Sequence, residues 1–485
     1  RTRSGWRHRA PAFRHASAGT RTGAGGPAPG RDLRHMLKYR QLFGHRPGQL
    51  PRRKHKPGGA PLSEIRIFGQ SPLKGEISIQ GSKNAALPMM AAALLHKGVT
   101  VLMNVPAIRD VSCMADILEY LGCHVRRQGG CMAIDAREIK NTAVPDHFVR
   151  SMRSSIVVLG ALLGRAGEGS GCYPGGCLIG ARPIDLHLKV FRELGADIRE
   201  TDGRLAVERG REGIRGAEIH LDYPSVGATE QAILASVLAR DVTVVHGAAK
   251  EPEITQLCEF LNNMGAIICG MGTEHLMIQG VRCLHDSSFR VEGDRIVAGT
   301  YGAAAAAAGG DILMKGIRPS FLRVPLAFLA RTGARVRTEE TTGRIQVAME
   351  EIPGCLDIRT GPYPEFPTDL QSPFMALLAS GRGISHIEER VFEGRFATAE
   401  ALNAMGARIR IRDREAVIEG VRPLHGARVE AADLRGGAAL AVAGLAASGE
   451  TCISGCIHIE RGYEDICRDL TALGARIRWA KEDGA

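Results

Sequence analysis

A cysteine and an arginine five residues apart, Cys177 and Arg182, follow a glycine-rich stretch from Gly167 to Gly176. Neither helix nor strand propensity supports that stretch, so it reads as a loop. A thiol on a mobile loop can enter a site and withdraw. The guanidinium is a permanent cation that draws a nearby thiol toward thiolate or holds an anionic substrate beside it. The alternative is that Cys177 packs as a small buried hydrophobe, as free cysteines usually do. The flanking glycines and Arg182 favour catalysis.

Elements at regular spacing must position this pair. A pattern of an apolar residue or Thr, then Gly, then a small residue, recurs with its glycine at Gly122, Gly195, Gly265, Gly333, Gly406 and Gly474, separated by 73, 70, 68, 73 and 68 residues. Each copy ends an amphipathic stretch such as Asp185–Leu194 and leads into an alternating run such as Ala407–Ile411. The glycine falls where a helix C-cap belongs. Half a period earlier, Ala-rich helices are predicted to begin near Asn84, Arg153, Gly227, Gly299, Thr368 and Leu434, each followed by a turn and a β-branched run. Six units of about 70 residues, each with two helices and several short strands, make an α/β (α+β) protein. That period is too long for a simple helical solenoid, and strands are present.

The six Ala-rich helices begin at Ser82-Lys83-Asn84, Met152-Arg153-Ser154, Ser225-Val226-Gly227, Asp294-Arg295, Thr368-Asp369 and Asp433-Leu434-Arg435. Equivalent helices place these starts at equivalent ends of two similar domains. If those ends face each other, backbone N–H groups and helix dipoles join Lys83, Arg153, Arg295 and Arg435 in a cleft suited to phosphates or carboxylates. In the alternative reading Ser82, Ser225 and Thr368 are ordinary N-caps and the charges are solvated. Asp369 compensates a helix dipole, as an isolated acid at a helix start commonly does, or, in a cationic cleft, binds a sugar hydroxyl or takes its proton. Arg461 could be a surface residue paired with Glu460 or Glu464, and Arg395 is equally ambiguous on its own.

Pro174–Leu188 resembles the catalytic loop of the UDP-N-acetylglucosamine 1-carboxyvinyltransferases, of the enolpyruvyl transferase family, and the likeness runs from about Glu64 to about Trp479. The resemblance implies two domains of the inside-out α/β barrel kind, 84–292 carrying the cysteine loop and 63–83 plus 293–481 forming the second. It implies transfer of the enolpyruvyl group of phosphoenolpyruvate to the 3-hydroxyl of UDP-N-acetylglucosamine, the first committed step of peptidoglycan precursor synthesis, with neither metal nor organic cofactor. Cys177, Asp369, Lys83 and Arg461 would be catalytic. Lys83, Asn84, Arg153, Arg182, Pro183, Ile184, Asp185, Leu186, Ser225, Val226, Gly227, Asp369, Val391, Arg435 and Arg461 would contact substrate. The chain departs from the family pattern at Gly394, usually Asn, and at Ala397-Thr398, usually Met-His. The sister 3-phosphoshikimate enzymes would show Lys-Ser-x-x-Asn-Arg-Ala where this chain has Lys83-Asn84-Ala85-Ala86. A catalytically silent paralogue that binds UDP-sugar is the alternative; the filled catalytic positions argue against it.

The net charge of +11 suggests nucleic acid or membrane until it is located. Residues 1–62 hold 15 Lys/Arg and one acid, Asp32, leaving 48 basic and 51 acidic residues elsewhere. No nucleic-acid or membrane partner is therefore expected, and the protein is expected to be a monomer. The basic segment has no apolar period and reads as a disordered extension, either an arm for anionic surfaces or sequence translated from a misplaced start; the second is favoured. Twelve cysteines without a Cys-x-x-Cys pair fit a reducing cytoplasm better than a disulfide framework or zinc site. A chain beginning at Ser63 is expected to keep fold and turnover, as read by circular dichroism and phosphate release. Loss of either makes the basic segment part of the working structure.

Overall fold

Six helices buried on nearly every side organise the chain. A computed structural model describes residues 63–174, 180 and 183–481. Cys177, Arg182 and the 1–62 extension lie outside them. All described residues belong to one compact unit, Gln49–Ala485. The six helices are α1 (Lys83–Ala92), α2 (Val157–Ala166), α3 (Val226–Ser236), α4 (Arg295–Ala308), α5 (Gln371–Ala379) and α6 (Leu434–Ala446). They match the Ala-rich repeats, although α4 begins four residues before Gly299 and α2 and α5 each open through a 3₁₀ turn, Arg153–Ile156 and Thr368–Leu370. All residues of α4 are buried, which an amphipathic helix could not be.

Alanine and glycine surfaces let these helices approach closely. Helix α2 packs on α1 and α3, and α4, α5 and α6 pack pairwise on one another. A Cβ added at Gly160 would lie 2.2 Å from Gln231 Oε1, and one at Gly164 would lie 2.7 Å from the Leu234 carbonyl oxygen, both on α3.

Around the helices stand six sheets, five of four strands and one of three among the described residues. In the three-stranded sheet Ala143 bridges in parallel to Ser170, at the place a fourth strand takes elsewhere. The six repeated glycines all have left-handed backbone, with φ of 111°, 82°, 96°, 104°, 88° and 91°. The repeat is therefore a C-cap in fact, where a side chain would be strained. Strand Ser63–Phe68 inserts between Glu450–Ser454 and Arg476–Lys481, antiparallel to both. Leu73–Ser78 runs parallel to Gly310–Lys315, and Ser287–Arg290 parallel to Val99–Met103. Helices inside and sheets outside make this an inside-out α/β barrel, twice over.

The buried apolar side chains form two cores. One holds Ile65 to Ile79 with Ile296 to Ile477, the other Ala85 to Val291. We take these cores as the basis for dividing the chain into 84–292 and 63–83 plus 293–481.

One expectation is corrected. The first part of the Gly167–Gly176 stretch is a strand, Glu168–Cys172, paired antiparallel with Arg204–Arg209. The partner strand's hydrogen bonds outweigh local propensity. Glycine serves packing here, because a Cβ at Gly169 would lie 3.1 Å from Leu162 Cβ on α2. Gly164→Ala is expected to push α2 from α3 and cost about 1–3 kcal/mol, read as a lowered urea midpoint at unchanged m-value. An unchanged midpoint means that the helix pair yields freely.

Candidate active site

Residues far apart in sequence converge where α1, α6 and the 3₁₀ turn before α5 begin. Lys83 is the first residue of α1, and its backbone amide donates to Asp294 Oδ2 at 3.0 Å. Asp294 also caps α4, accepting from the amides of Ile296 and Val297 at 2.8 and 3.1 Å. The Lys83 ammonium donates to Asp110 Oδ2 at 3.1 Å, while Arg461 Nε donates to Asp110 Oδ1 at 3.0 Å. Asp110 belongs to the core of Ala85–Val291 and Arg461 to the other lobe, so one carboxylate bridges both. Beside this pair Asp369 is clamped, Oδ2 accepting from Arg435 Nη2 at 2.8 Å and Oδ1 from Arg395 Nη2 at 2.5 Å.

Their electrostatics follow from crowding charge away from water. Burial lowers the pKa of Lys83, as do the charges of Arg435 and Arg461, with Asp110 opposing. Burial alone would raise Asp110, yet Lys83 and Arg461 hold it below the ordinary carboxylate value. Burial would likewise raise Asp369, but Arg435 and Arg395 drive it well below the usual range. The result is a set of cations, Arg395 and Arg435 buried, Lys83 largely so and Arg461 partly exposed, whose donors are directed at two carboxylates.

A second group gathers where α3 begins. Arg153 Nη1 donates to the Pro174 carbonyl at 3.2 Å. His187 is pushed down to about 4 by burial and by the Arg153 charge, so it is neutral at pH 7. Its ring lies against α3, where a Cβ on Gly227 would come within 2.5 Å of His187 Cε1. Glycine at that position is a matter of close approach.

Among the expected N-caps only Ser225 acts as one, accepting from the Ala228 amide at 3.3 Å. Ser82 makes no cap bond, and its buried hydroxyl has no partner among the described residues. Thr368 instead donates to Glu389 Oε2 at 3.0 Å. Arg295, expected among the cleft cations, is a buried partner of Glu253 at 3.0 Å.

Of the expected contact residues, Lys83, Asp369, Arg435 and Arg461 come together. Arg153 and Gly227 meet around His187, with Ser225 and Val226 at the start of the same helix. Asn84 is half-buried in the first turn of α1, Pro183 and Asp185 are exposed, and Leu186 is partly buried. Ile184 is a core side chain, and the Val391 amide donates to Glu389 Oε1 at 2.8 Å. Sequence reasoning missed Asp110, His187 and Glu389, and left Arg395 undecided. An aspartate in a first helical turn reads as dipole compensation, so Asp110 gave no signal before its partners were in place. Gly394 precedes the short turn carrying Arg395, and this departure from the family pattern leaves the clamp on Asp369 intact.

Comparison with known proteins fits this architecture. Residues 67–470 match the family model described as EPSP synthase (3-phosphoshikimate 1-carboxyvinyltransferase). The crystal structure of the enolpyruvyl transferase NikO from Streptomyces tendae superposes with a TM-score of 0.78 at 26% identity, over 87% of this chain and 99% of that one. EPSP synthase from Acinetobacter baumannii shares the fold, with a TM-score of 0.67 at 18% identity over 86% of this chain and 100% of that one. A two-lobed inside-out barrel with cationic helix starts and these relatives is an enolpyruvyl transferase. The UDP-N-acetylglucosamine 1-carboxyvinyltransferase 2 of Caldanaerobacter subterraneus is 45% identical over 86% of this chain and 99% of its own length. The UDP-N-acetylglucosamine 1-carboxyvinyltransferase of Cellvibrio japonicus is 43% identical over 87% of this chain and 100% of its own length. Within the enolpyruvyl transferases, this chain belongs to the UDP-N-acetylglucosamine 1-carboxyvinyltransferase family.

Asp110→Asn leaves Lys83 and Arg461 facing each other without a counter-charge, at an expected cost of about 3 kcal/mol near pH 7. Because Asp110 is depressed in the folded state, its contribution is present above the unfolded carboxylate pKa and lost as pH falls through the folded one. The stability gap between the two proteins, from urea midpoints, should therefore be full above about pH 5 and shrink below about pH 4. A gap independent of pH would remove the ionic explanation.

Proposed function

We propose that the chain transfers the enolpyruvyl group of phosphoenolpyruvate to the 3-hydroxyl of UDP-N-acetylglucosamine and releases phosphate. The observation that carries this reading is the convergence of Lys83, Arg395, Arg435 and Arg461, each with a donor on Asp110 or Asp369. Phosphate and carboxylate groups of substrate can take over those donors, stabilising charge in a site with little water. Arg153, Arg182, Ser225, Val226 and Gly227 serve the nucleotide sugar in this reading, together with Pro183, Ile184, Asp185 and Leu186, while Asn84 joins Lys83 in the turn that meets phosphoenolpyruvate and Val391 offers substrate a backbone contact. The resemblance assigns these roles.

The reaction needs a proton on the methylene carbon of phosphoenolpyruvate and attack of the sugar hydroxyl on its C2. The tetrahedral intermediate then loses phosphate and one methyl proton, restoring the double bond. Cys177 is the proton donor and reversible covalent acceptor. Asp369 is the base for the 3-hydroxyl. In the clamped state it is a weak base, because two arginines stabilise its ionised form. Substrate anions that draw Arg395 or Arg435 away raise its basicity at the moment it is needed. The product is a peptidoglycan precursor. Cytoplasmic chemistry is part of this reading, and no described helix is long and apolar enough to cross a membrane.

The full chain should release phosphate from phosphoenolpyruvate only when UDP-N-acetylglucosamine is present. No release would favour the silent paralogue. Cys177→Ser is expected to lose about 10²-fold or more in turnover, since a hydroxyl is a far weaker acid than a thiol. Cys177→Asp should retain more than Cys177→Ser. Near-normal turnover of Cys177→Ser would remove the cysteine from the mechanism.

A further inference from the structure

On the solvent face of one sheet three histidines and a glutamate stand side by side. Glu218 and His220 are two apart on strand Glu218–His220, and therefore share a face, with Ile219 buried on the other. Strand Val242–His246 pairs parallel with it, placing His246 opposite His220. Strand His275–Gln279 pairs antiparallel on the other side, placing His275 opposite His246. The rings of His220 and His246 stack 4.4 Å apart with 9° between their planes. Glu218 Oε1 lies 2.9 Å from His246 Nε2 and 3.7 Å from His220 Nε2.

We propose that Glu218, His220 and His246 form a surface site for a divalent transition-metal ion of borderline softness, Zn²⁺, Ni²⁺ or Cu²⁺. One ligand atom from each lies within 4.8 Å of the others. A tetrahedral ion held at roughly 2.0–2.2 Å needs neighbouring ligand atoms roughly 3.3–3.6 Å apart, between the two separations above. The stacked rings are nearly parallel, so one imidazole must swing out of the stack to aim its in-plane lone pair at the same ion, and the exposed His220 has room to do so. Two imidazoles and one carboxylate match these ions better than Mg²⁺ or Ca²⁺, which take oxygen donors. His275 supplies the outer support. Its Nδ1 lies 3.1 Å from His246 Nδ1, so when His246 Nε2 binds the ion its Nδ1–H donates to His275. The remaining positions are open to solvent, Glu218 and His220 being 68% and 64% exposed. Bound metal would pin neighbouring strands of the sheet.

The test is calorimetric titration of the full chain, stripped with chelator, using Ni²⁺ as probe. The unchanged protein should bind one more equivalent than either His220→Ala or His246→Ala. Glu218→Gln should weaken that equivalent about tenfold, and Ni²⁺ should raise the melting temperature of the unchanged protein more than that of either histidine variant. Phosphate release by the variants without metal should stay unchanged, which verifies their folding. Equal stoichiometry and affinity in all four proteins would overturn the site. So would an equivalent that survives His246→Ala and disappears when thiols are alkylated, because the ion would then sit on cysteine.

Discussion

Three cations largely out of water, Lys83, Arg395 and Arg435, with the partly exposed Arg461 beside them, cannot be held together without compensating charge, and the site is built around that constraint. Asp110 and Asp369 supply it. Each accepts from two cationic side chains, and their pKa values fall even though burial alone would raise them. Buried ion pairs contribute little net stability against apolar replacements, so such a cluster is better explained by what it binds than by what it stabilises. The donors are oriented before any ligand arrives, and an incoming phosphate or carboxylate exchanges one anion for another. Preorganisation of this kind avoids reorganising dipoles during the reaction.

The repeat places those charges. Each Ala-rich helix carries its first residues at the same end of its unit, so six starts from two similar lobes can converge. The glycine C-caps turn the chain back toward the sheets at the same phase each time. Glycine on α2 meets the backbone and side chains of α3, which sets the helix spacing without side-chain interdigitation. The sheets then cover helices that have no polar face to present to water.

Several contacts between the lobes are polar. Asp110 with Arg461, Glu253 with Arg295, and the Ala107 amide with Glu464 at 2.7 Å all cross from one core to the other. Polar contacts of this kind exchange partners more readily than packed apolar ones. Asp110 therefore has two connected effects: it neutralises the cations and joins the lobes that carry them.

The sequence by itself determined the six-fold repeat, the C-cap glycines, the central helices and the cationic residues at their starts, because all are local and periodic. Phase within the unit grouped Lys83, Arg153, Arg295 and Arg435, with Asp369 at an equivalent helix start, and of these Lys83, Asp369 and Arg435 stand together in the fold. Pairings across long separations were decided only by tertiary structure. Asp110 reads as an ordinary first-turn acid until Arg461, far along the chain, folds onto it. Arg295 has the same phase as the site cations, yet Glu253 from another unit claims it. Glu168–Cys172 looked like a flexible glycine loop because propensity ignores the partner strand, whose hydrogen bonds outweigh it. Glu218, His220 and His246 show no metal spacing along the chain, since strand pairing brings His246 beside them. Local pattern specifies elements and their ends; which charge meets which is set by packing that no single segment encodes.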